Sequence, residues 1–186
     1  MSSTPDFGVE PSAFGAQKCD IRVLCLGNDL LRDDSLGSMV AAHVRQFAPA
    51  NVEVLSTPET GFQLLDYALN VGRLIVVDTV VTGSAPPGTI YEIRDVDLKS
   101  LTGVSPHYVG LFEVLAVSRH VGLPAAEEVI ILAVEAEDCF CIGKDMHPAV
   151  LAAVPGLIKM VRNRIAAGIG SVGRREKGTT RPSQSS

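Results

Sequence analysis

The sequence predicts an α/β protein, a three-layer α/β/α sandwich around a mostly parallel five-stranded sheet with one antiparallel edge strand. Three observations carry this. Strand and helix signals alternate along the chain, which implies right-handed crossovers and a sheet covered on both faces. The runs IRVLCL (21–26), RLIVVD (73–78) and EVIILAVE (128–135) are almost unbroken apolar stretches, the pattern of strands buried on both sides. VVTGSAPPGTIYEI is too short to contain a crossover helix, so the strand that ends it is expected to run antiparallel at an edge.

The elements follow in order. Residues 1–19 are rich in Ser, Pro and Gly and read as a mobile extension. A single α/β domain is expected over 20–169, and a disordered tail over 170–186, polar and aperiodic from Gly173. After the first strand, Leu36, Met39, Val40, Val44 and Phe47 fall at helical spacing. VEVL (52–55) is the second strand, and Phe62, Leu65 and Leu69 suggest the second helix. TIYEI (89–93) is the fourth strand, and Val109, Phe112, Leu115 and Ala116 mark the third helix. The last helix begins near His147-Pro148, with proline in its first turn, and keeps its phase from Val150 through Ile165. Pro155 lies inside that pattern and is expected to kink the helix without ending it.

Composition bounds the function. With 186 residues, 46% of them apolar, the chain suits one domain with a full core. A net charge of −5 argues against a nucleic-acid partner, which needs a basic surface. No apolar run reaches the roughly 20 residues that cross a bilayer, so no membrane partner is expected. The first 20 residues lack a basic segment followed by an apolar one, so a cytoplasmic protein is expected. Cys19, Cys25, Cys139 and Cys141 do not make a zinc pattern, and reduced thiols are expected.

Chemistry is sought beyond the carboxyl ends of the parallel strands, where open α/β sheets gather ligands. The loop GNDLLRDDSLG (27–37) leaves the first strand there, and Asp78 ends the run of the third. A carboxylate at the end of a buried strand is costly unless it is hydrogen-bonded, metal-bound or solvent-facing. Asp33 or Asp34 can simply cap the helix that starts near Ser35. Two adjacent acids can also divide the work, Asp33 capping while Asp34 faces the rim. As a cap, Asp33 replaced by Ala would cost roughly 0.5–2 kcal/mol. Asp78 alone can be a turn residue. His107, in VSPHYVGL (104–111), follows a proline-fixed bend, whereas His43, His120 and His147 lie on or beside helices. A lone loop histidine is more often structural than a ligand. Two rim carboxylates with one imidazole form an O₂N set suited to nickel or zinc. The loop lacks the glycines of a dinucleotide fingerprint, and no GxSxG elbow or P-loop is present.

GNDLLRDDSLG resembles the GNxLxxDDxxG signature of the hydrogenase maturation endopeptidases. TPETGFQLLD (57–66), LIVVDTVVTGSAPPGTI (74–90), SPHYVGL (105–111) and GKDMHPAV (143–150) extend the likeness in order over about residues 21–167. The resemblance implies a peptidase domain that removes a short C-terminal extension from the large-subunit precursor of a [NiFe] hydrogenase after nickel insertion. It implies that Asp34, Asp78 and His107 bind metal in the cleft. Many relatives carry Glu where this chain has Asp34, one methylene longer, and a glycine-rich loop where it has STPETG.

On that reading the substrate brings its own nickel, and no tightly bound organic cofactor is expected. Asp34, Asp78 and His107 would complete the ion's coordination, and Asp34 or Asp78 would orient the attacking water. Two other classes stand beside this one. A nickel-binding chaperone or sensor would use the same ligands without cleavage, and a small-molecule hydrolase would need a deep closed pocket.

Overall fold

The computed structural model describes residues 19–94, 108–143 and 145–176, with the backbone alone for 108–110, 112 and 170–176. Its sheet contains β1 (Cys19–Leu26), β2 (Val52–Thr57), β3 (Val71–Val80), β4 (Ile90–Arg94) and β5 (Glu128–Glu135) in the order β2-β1-β3-β5-β4. β2, β1, β3 and β5 are parallel, and β4 pairs antiparallel with β5 at one edge, as the short connection required. The helices are α1 (Leu36–Arg45), α2 (Leu65–Ala68), α3 (Tyr108–His120) and α4 (Pro148–Glu176).

Strand alternation divides the core between two layers. Val23, Cys25, Ile75, Val77, Ile130 and Leu132 face α1 and α4. Leu24, Leu26, Leu74, Val76, Val80 and Ile131 face α2 and α3. This is why the central strands read as unbroken apolar runs: each alternate residue has a helix layer to bury against.

Four expectations need adjustment. The second helix is a 3₁₀ turn (Gly61–Leu64) followed by one α turn, because Leu69 bridges to Ala125 and Asn70 turns into β3 at φ 56°. In α3 the buried residues include Leu111, Val114, Leu115 and Ser118, while Ala116 is exposed. A helix so evenly apolar gives periodicity little to separate; Val109 and Phe112 have no described side chains. The last helix passes Gly173, where the tail was expected to start, and reaches Glu176; residues 177–186 lie outside the described set. Pro155 sits within it on the solvent side, beside a half-exposed Leu151 whose carbonyl loses a helical donor where water can replace it. Residue 19, assigned to the N-terminal extension, opens β1, and 1–18 are outside the described residues.

Because β1, β2, β3 and β5 are parallel, the loops at 27–35, 58–64, 81–89 and 136–147 all leave the same rim of the sheet. α3 packs against the 3₁₀ turn that leaves β2 and ends shortly before β5 begins, so it runs opposite to the parallel strands. Its first residue, Tyr108, therefore lies at this carboxyl rim and its last at the amino rim.

Candidate active site on the carboxyl rim

The 27–37 loop closes on itself through its two terminal glycines. A Cβ on Gly27, whose φ is +148°, would lie 2.0 Å from the Asp34 carbonyl oxygen. A Cβ on Gly37 would lie 2.1 Å from the Leu26 carbonyl oxygen. The glycines thus let the start of α1 press against the end of β1, and the intervening residues are forced outward as a tight knot.

Within that knot Asp33 and Asp34 form a 3₁₀ turn with Ser35 and point to different partners. Asp34 is 1% exposed. Its Oδ2 accepts the Asn28 N–H (2.8 Å), and its Oδ1 accepts the Thr79 hydroxyl (2.8 Å). Asp78 is fully buried two residues before the end of β3, and its Oδ1 accepts the N–H of Thr79 (2.7 Å). β1 ends level with this point, since Cys25 is in register with Val77. Thr79 therefore ties the two candidate carboxylates together, with its hydroxyl on Asp34 and its amide on Asp78. Strand parity puts Thr79 on the α1 and α4 side, and Asp78 on the α2 and α3 side with Val76 and Val80.

Asp33 departs from the expected role. Neither the 3₁₀ turn nor α1 has a side-chain cap. Asp33 Oδ2 instead accepts the N–H groups of Glu137 and Asp138, each at 3.0 Å, and Oδ1 accepts the N–H of His147 at 2.6 Å. Its own N–H donates to the Asp138 carbonyl (3.2 Å). The residue is a buried brace that fastens the β5–α4 loop to the β1–α1 loop. Sequence spacing could not find this, because the donors lie more than 100 positions away and any residue but proline supplies an N–H.

His107 lies outside the described residues, as does the S-P-H segment before it. Among the described residues no three His, Cys, Asp or Glu side chains gather in a way that would hold a metal. Asp34 and Asp78 share the rim; the third member of the expected set is not part of the description.

Cys139 was assigned no chemistry, yet it is 1% exposed and its thiol lies 3.4 Å from Thr79 Oγ1. Burial pushes its pKa up to about 12; the Thr79 hydrogen bond opposes this, and the carboxylates of Asp34, Asp78 and Asp33 reinforce it. A thiol held protonated among acids is a poor nucleophile, so cysteine-based cleavage does not fit this centre. Cys25, also pushed up to about 12 by burial, is an inert core residue, and all four cysteines are free.

Glu135, another buried rim acid that the sequence did not flag, is engaged structurally. It accepts the Thr82 and Gly83 N–H groups (2.7 and 2.9 Å) and the Thr82 and Tyr91 hydroxyls (2.7 and 2.8 Å). These bonds organise the β3–β4 connection. Beside the acidic loop, an open cavity of about 490 Å³ lies between residues 27–29, α1 and the end of β2, lined by Gly27, Asn28, Asp29, Ser38, Arg45, Ser56 and Pro58. Arg45 covers the free edge of β2 by donating to the outward Val54 carbonyl (3.3 Å). Asp29, the third acid of the loop, is exposed at its mouth.

The fold and this rim place the chain among α/β proteins represented by solved hydrogenase-maturating enzymes. It is similar to the hydrogenase maturating endopeptidase HybD from E. coli, with a TM-score of 0.69, 28% identity, and coverage of 86% of this chain and 94% of that one. It shares the fold of the [NiFe] hydrogenase maturation protease HybD from Thermococcus kodakarensis at 18% identity, with a TM-score of 0.62 over 78% of this chain and 99% of that one. The family model described as hydrogenase maturation protease matches residues 39–164, and the chain belongs to that family. The match includes Asp78 and His107 and begins after Asp34. In sequence the chain is 36% identical over 106 residues to the hydrogenase 2 maturation protease of Escherichia coli K12. It is 33% identical over 107 residues to the hydrogenase expression/formation protein HupD of Bradyrhizobium diazoefficiens. Each alignment spans 55% of this chain, and they span 65% and 55% of the two relatives. No helix among the described residues is long and apolar enough to cross a membrane.

Proposed function

We propose that this protein is an endopeptidase that removes the C-terminal extension of a [NiFe] hydrogenase large-subunit precursor once nickel has been inserted. The observation that carries the proposal is the Asp34–Thr79–Asp78 arrangement. Two buried carboxylates from different elements are held at the rim where the family's enzymes are expected to meet their substrate. Hydrogen bonds from Asn28 and Thr79 fix their orientation before any ligand arrives, which lowers the cost of meeting a cation.

In the proposed reaction the substrate's nickel is approached by Asp34, Asp78 and His107. His107 immediately precedes α3, whose first residue lies at this rim, and Asp78 faces the α3 layer; both facts favour including it. One of the two carboxylates accepts the proton of the attacking water, and the ion both positions the scissile peptide and makes that water more acidic. The carboxylates make this an aspartyl-type protease in the broad sense, acting as a cytoplasmic processing enzyme.

The test is mass spectrometry of the large subunit's C-terminus after incubation with precursor prepared with and without nickel. The reading expects a shortened subunit with nickel and slow or absent cleavage without it. Equal processing of nickel-free precursor would remove the ion from the mechanism. Tight binding of the loaded precursor without shortening would favour a chaperone or sensor.

A further inference from the structure

Among the described residues, the four most exposed large apolar side chains are Ile142 at 76%, Leu30 at 69%, Phe62 at 66% and Phe140 at 62%. A single exposed apolar residue needs no explanation. These four, however, all stand on loops leaving the carboxyl rim: Leu30 follows β1, Phe62 follows β2, and Phe140 and Ile142 follow β5.

Three of them share one hydrogen-bonded platform. Leu31 and Ile142 form an isolated antiparallel bridge. The Gly143 N–H donates to the Leu30 carbonyl (3.2 Å), and the Arg32 N–H donates to the Cys141 carbonyl (2.9 Å). Asp138 Oδ1 accepts the N–H groups of Phe140 and Cys141 at 2.8 and 3.1 Å. Asp33 ties both loops together from beneath. The apolar side chains therefore project from a backbone that is already ordered, which reduces the entropy lost on binding.

We propose that Leu30, Phe140 and Ile142, with Phe62 across the rim, form the docking surface for the protein substrate and engage an apolar stretch of the precursor beside the bond to be cut. This inference rests on the peptidase reading above. Continuity with the candidate site selects the occupant: Leu30 stands two residues from Asn28, whose N–H holds Asp34, so a polypeptide reaching Asp34 covers Leu30. A lipid surface is disfavoured, because the net charge of −5 and the buried rim acids repel anionic headgroups. A second copy of this chain seated here would shut the substrate out.

The experiment compares wild type with a Leu30→Gln/Phe140→Gln/Ile142→Gln variant, which keeps the charge constant, and with a Val121→Gln/Leu123→Gln control in the loop that follows α3 at the amino rim. The probe is the nickel-loaded large-subunit precursor from the same organism. Steady-state processing, precursor binding, sedimentation and thermal melting are measured for each protein. The expected result is a KM or Kd raised roughly tenfold or more by the rim variant, with kcat within about twofold, unchanged melting and an unaffected control. Unchanged KM in an active rim variant would overturn the docking surface while leaving the peptidase reading intact. Binding without processing, lost only in the rim variant, would support the surface while the peptidase reading falls. A wild-type dimer dissociated by the rim substitutions at unchanged KM would assign the patch to self-association and overturn the proposal. Absence of both binding and processing in wild type would overturn both.

Discussion

The two rims of the sheet treat buried charge in opposite ways. At the amino rim, Arg22 is 2% exposed and pairs with Glu53 on β2 (2.5 Å), while also donating to the carbonyls of Tyr67 and Leu69. Arg73 repeats the arrangement with Glu128 (2.7 Å) and the Arg164 carbonyl. Each cation meets an anion from the neighbouring strand. At the carboxyl rim stand all four buried acids among the described residues: Asp33, Asp34, Asp78 and Glu135. The described donors to them are backbone N–H groups and hydroxyls. Neutral donors offset the desolvation of a carboxylate without cancelling its charge. At the carboxyl rim Asp33 and Glu135 brace loops, while Asp34 and Asp78 are the two acids that the proposed function directs at a cation.

Substitutions can break this contrast at either end. The largest stability effect is expected at Gly37→Ala, where the new methyl would meet the Leu26 carbonyl oxygen at 2.1 Å and push α1 off β1. Urea unfolding should show a loss of about 3 kcal/mol or more. Asp33→Ala comes next. It strands three backbone donors and unfastens the loop bearing Phe140 and Ile142, so about 3 kcal/mol is expected, above the range for a lost helix cap. A loss under about 1 kcal/mol in the same measurement would mean that water replaces the carboxylate and that the brace matters little.

That revision for Asp33 marks the limit of what the sequence disclosed. The sheet was legible because burial on both faces imposes apolar runs, and β4 because fourteen residues cannot hold a crossover. The rim positions of Asp34 and Asp78 were legible because position at a strand's end is a topological fact that periodicity reveals. The Thr82 and Tyr91 hydroxyls reach Glu135 from another strand region, with no local spacing to mark them. The backbone partners of Asp33 and Glu135 were not legible either, since hydrogen bonds to backbone amides leave no residue-type signature. The platform under Leu30 and Ile142 was hidden for the same reason. Its anchoring residue, Asp138, shows its role only through geometry: bonds from Cys141 and Phe140 hold its carboxyl down at about 2.

Smaller effects sharpen the comparison. Arg22→Met should cost about 1–2 kcal/mol, because Glu53 is 39% exposed on its side chain and regains water when its partner goes. A cost as large as that of Asp33→Ala would make the two rims equivalent in stability. Glu135 gives a pH signature. Burial raises its pKa, but bonds from Thr82, Tyr91 and the Gly83 and Thr82 amides outweigh that and hold it below 4.5. Its contribution is therefore present above about pH 4.5 and lost as pH falls through the depressed folded value. Urea midpoints between neutral and acid pH should fall for wild type and fall less steeply for Glu135→Gln.

The central proposal is that Asp34 and Asp78 at the carboxyl rim meet a cation-bearing substrate, and Asp78→Asn tests it most directly. Asparagine keeps the shape and the oxygen that accepts the Thr79 N–H, while removing the negative charge at a site where it is costly to bury. Melting temperature and processing of nickel-loaded precursor are measured on the same sample. The account predicts a melting temperature equal to or above that of wild type, with processing slowed at least roughly a hundredfold. A variant that melts normally and trims the precursor at the wild-type rate would contradict it.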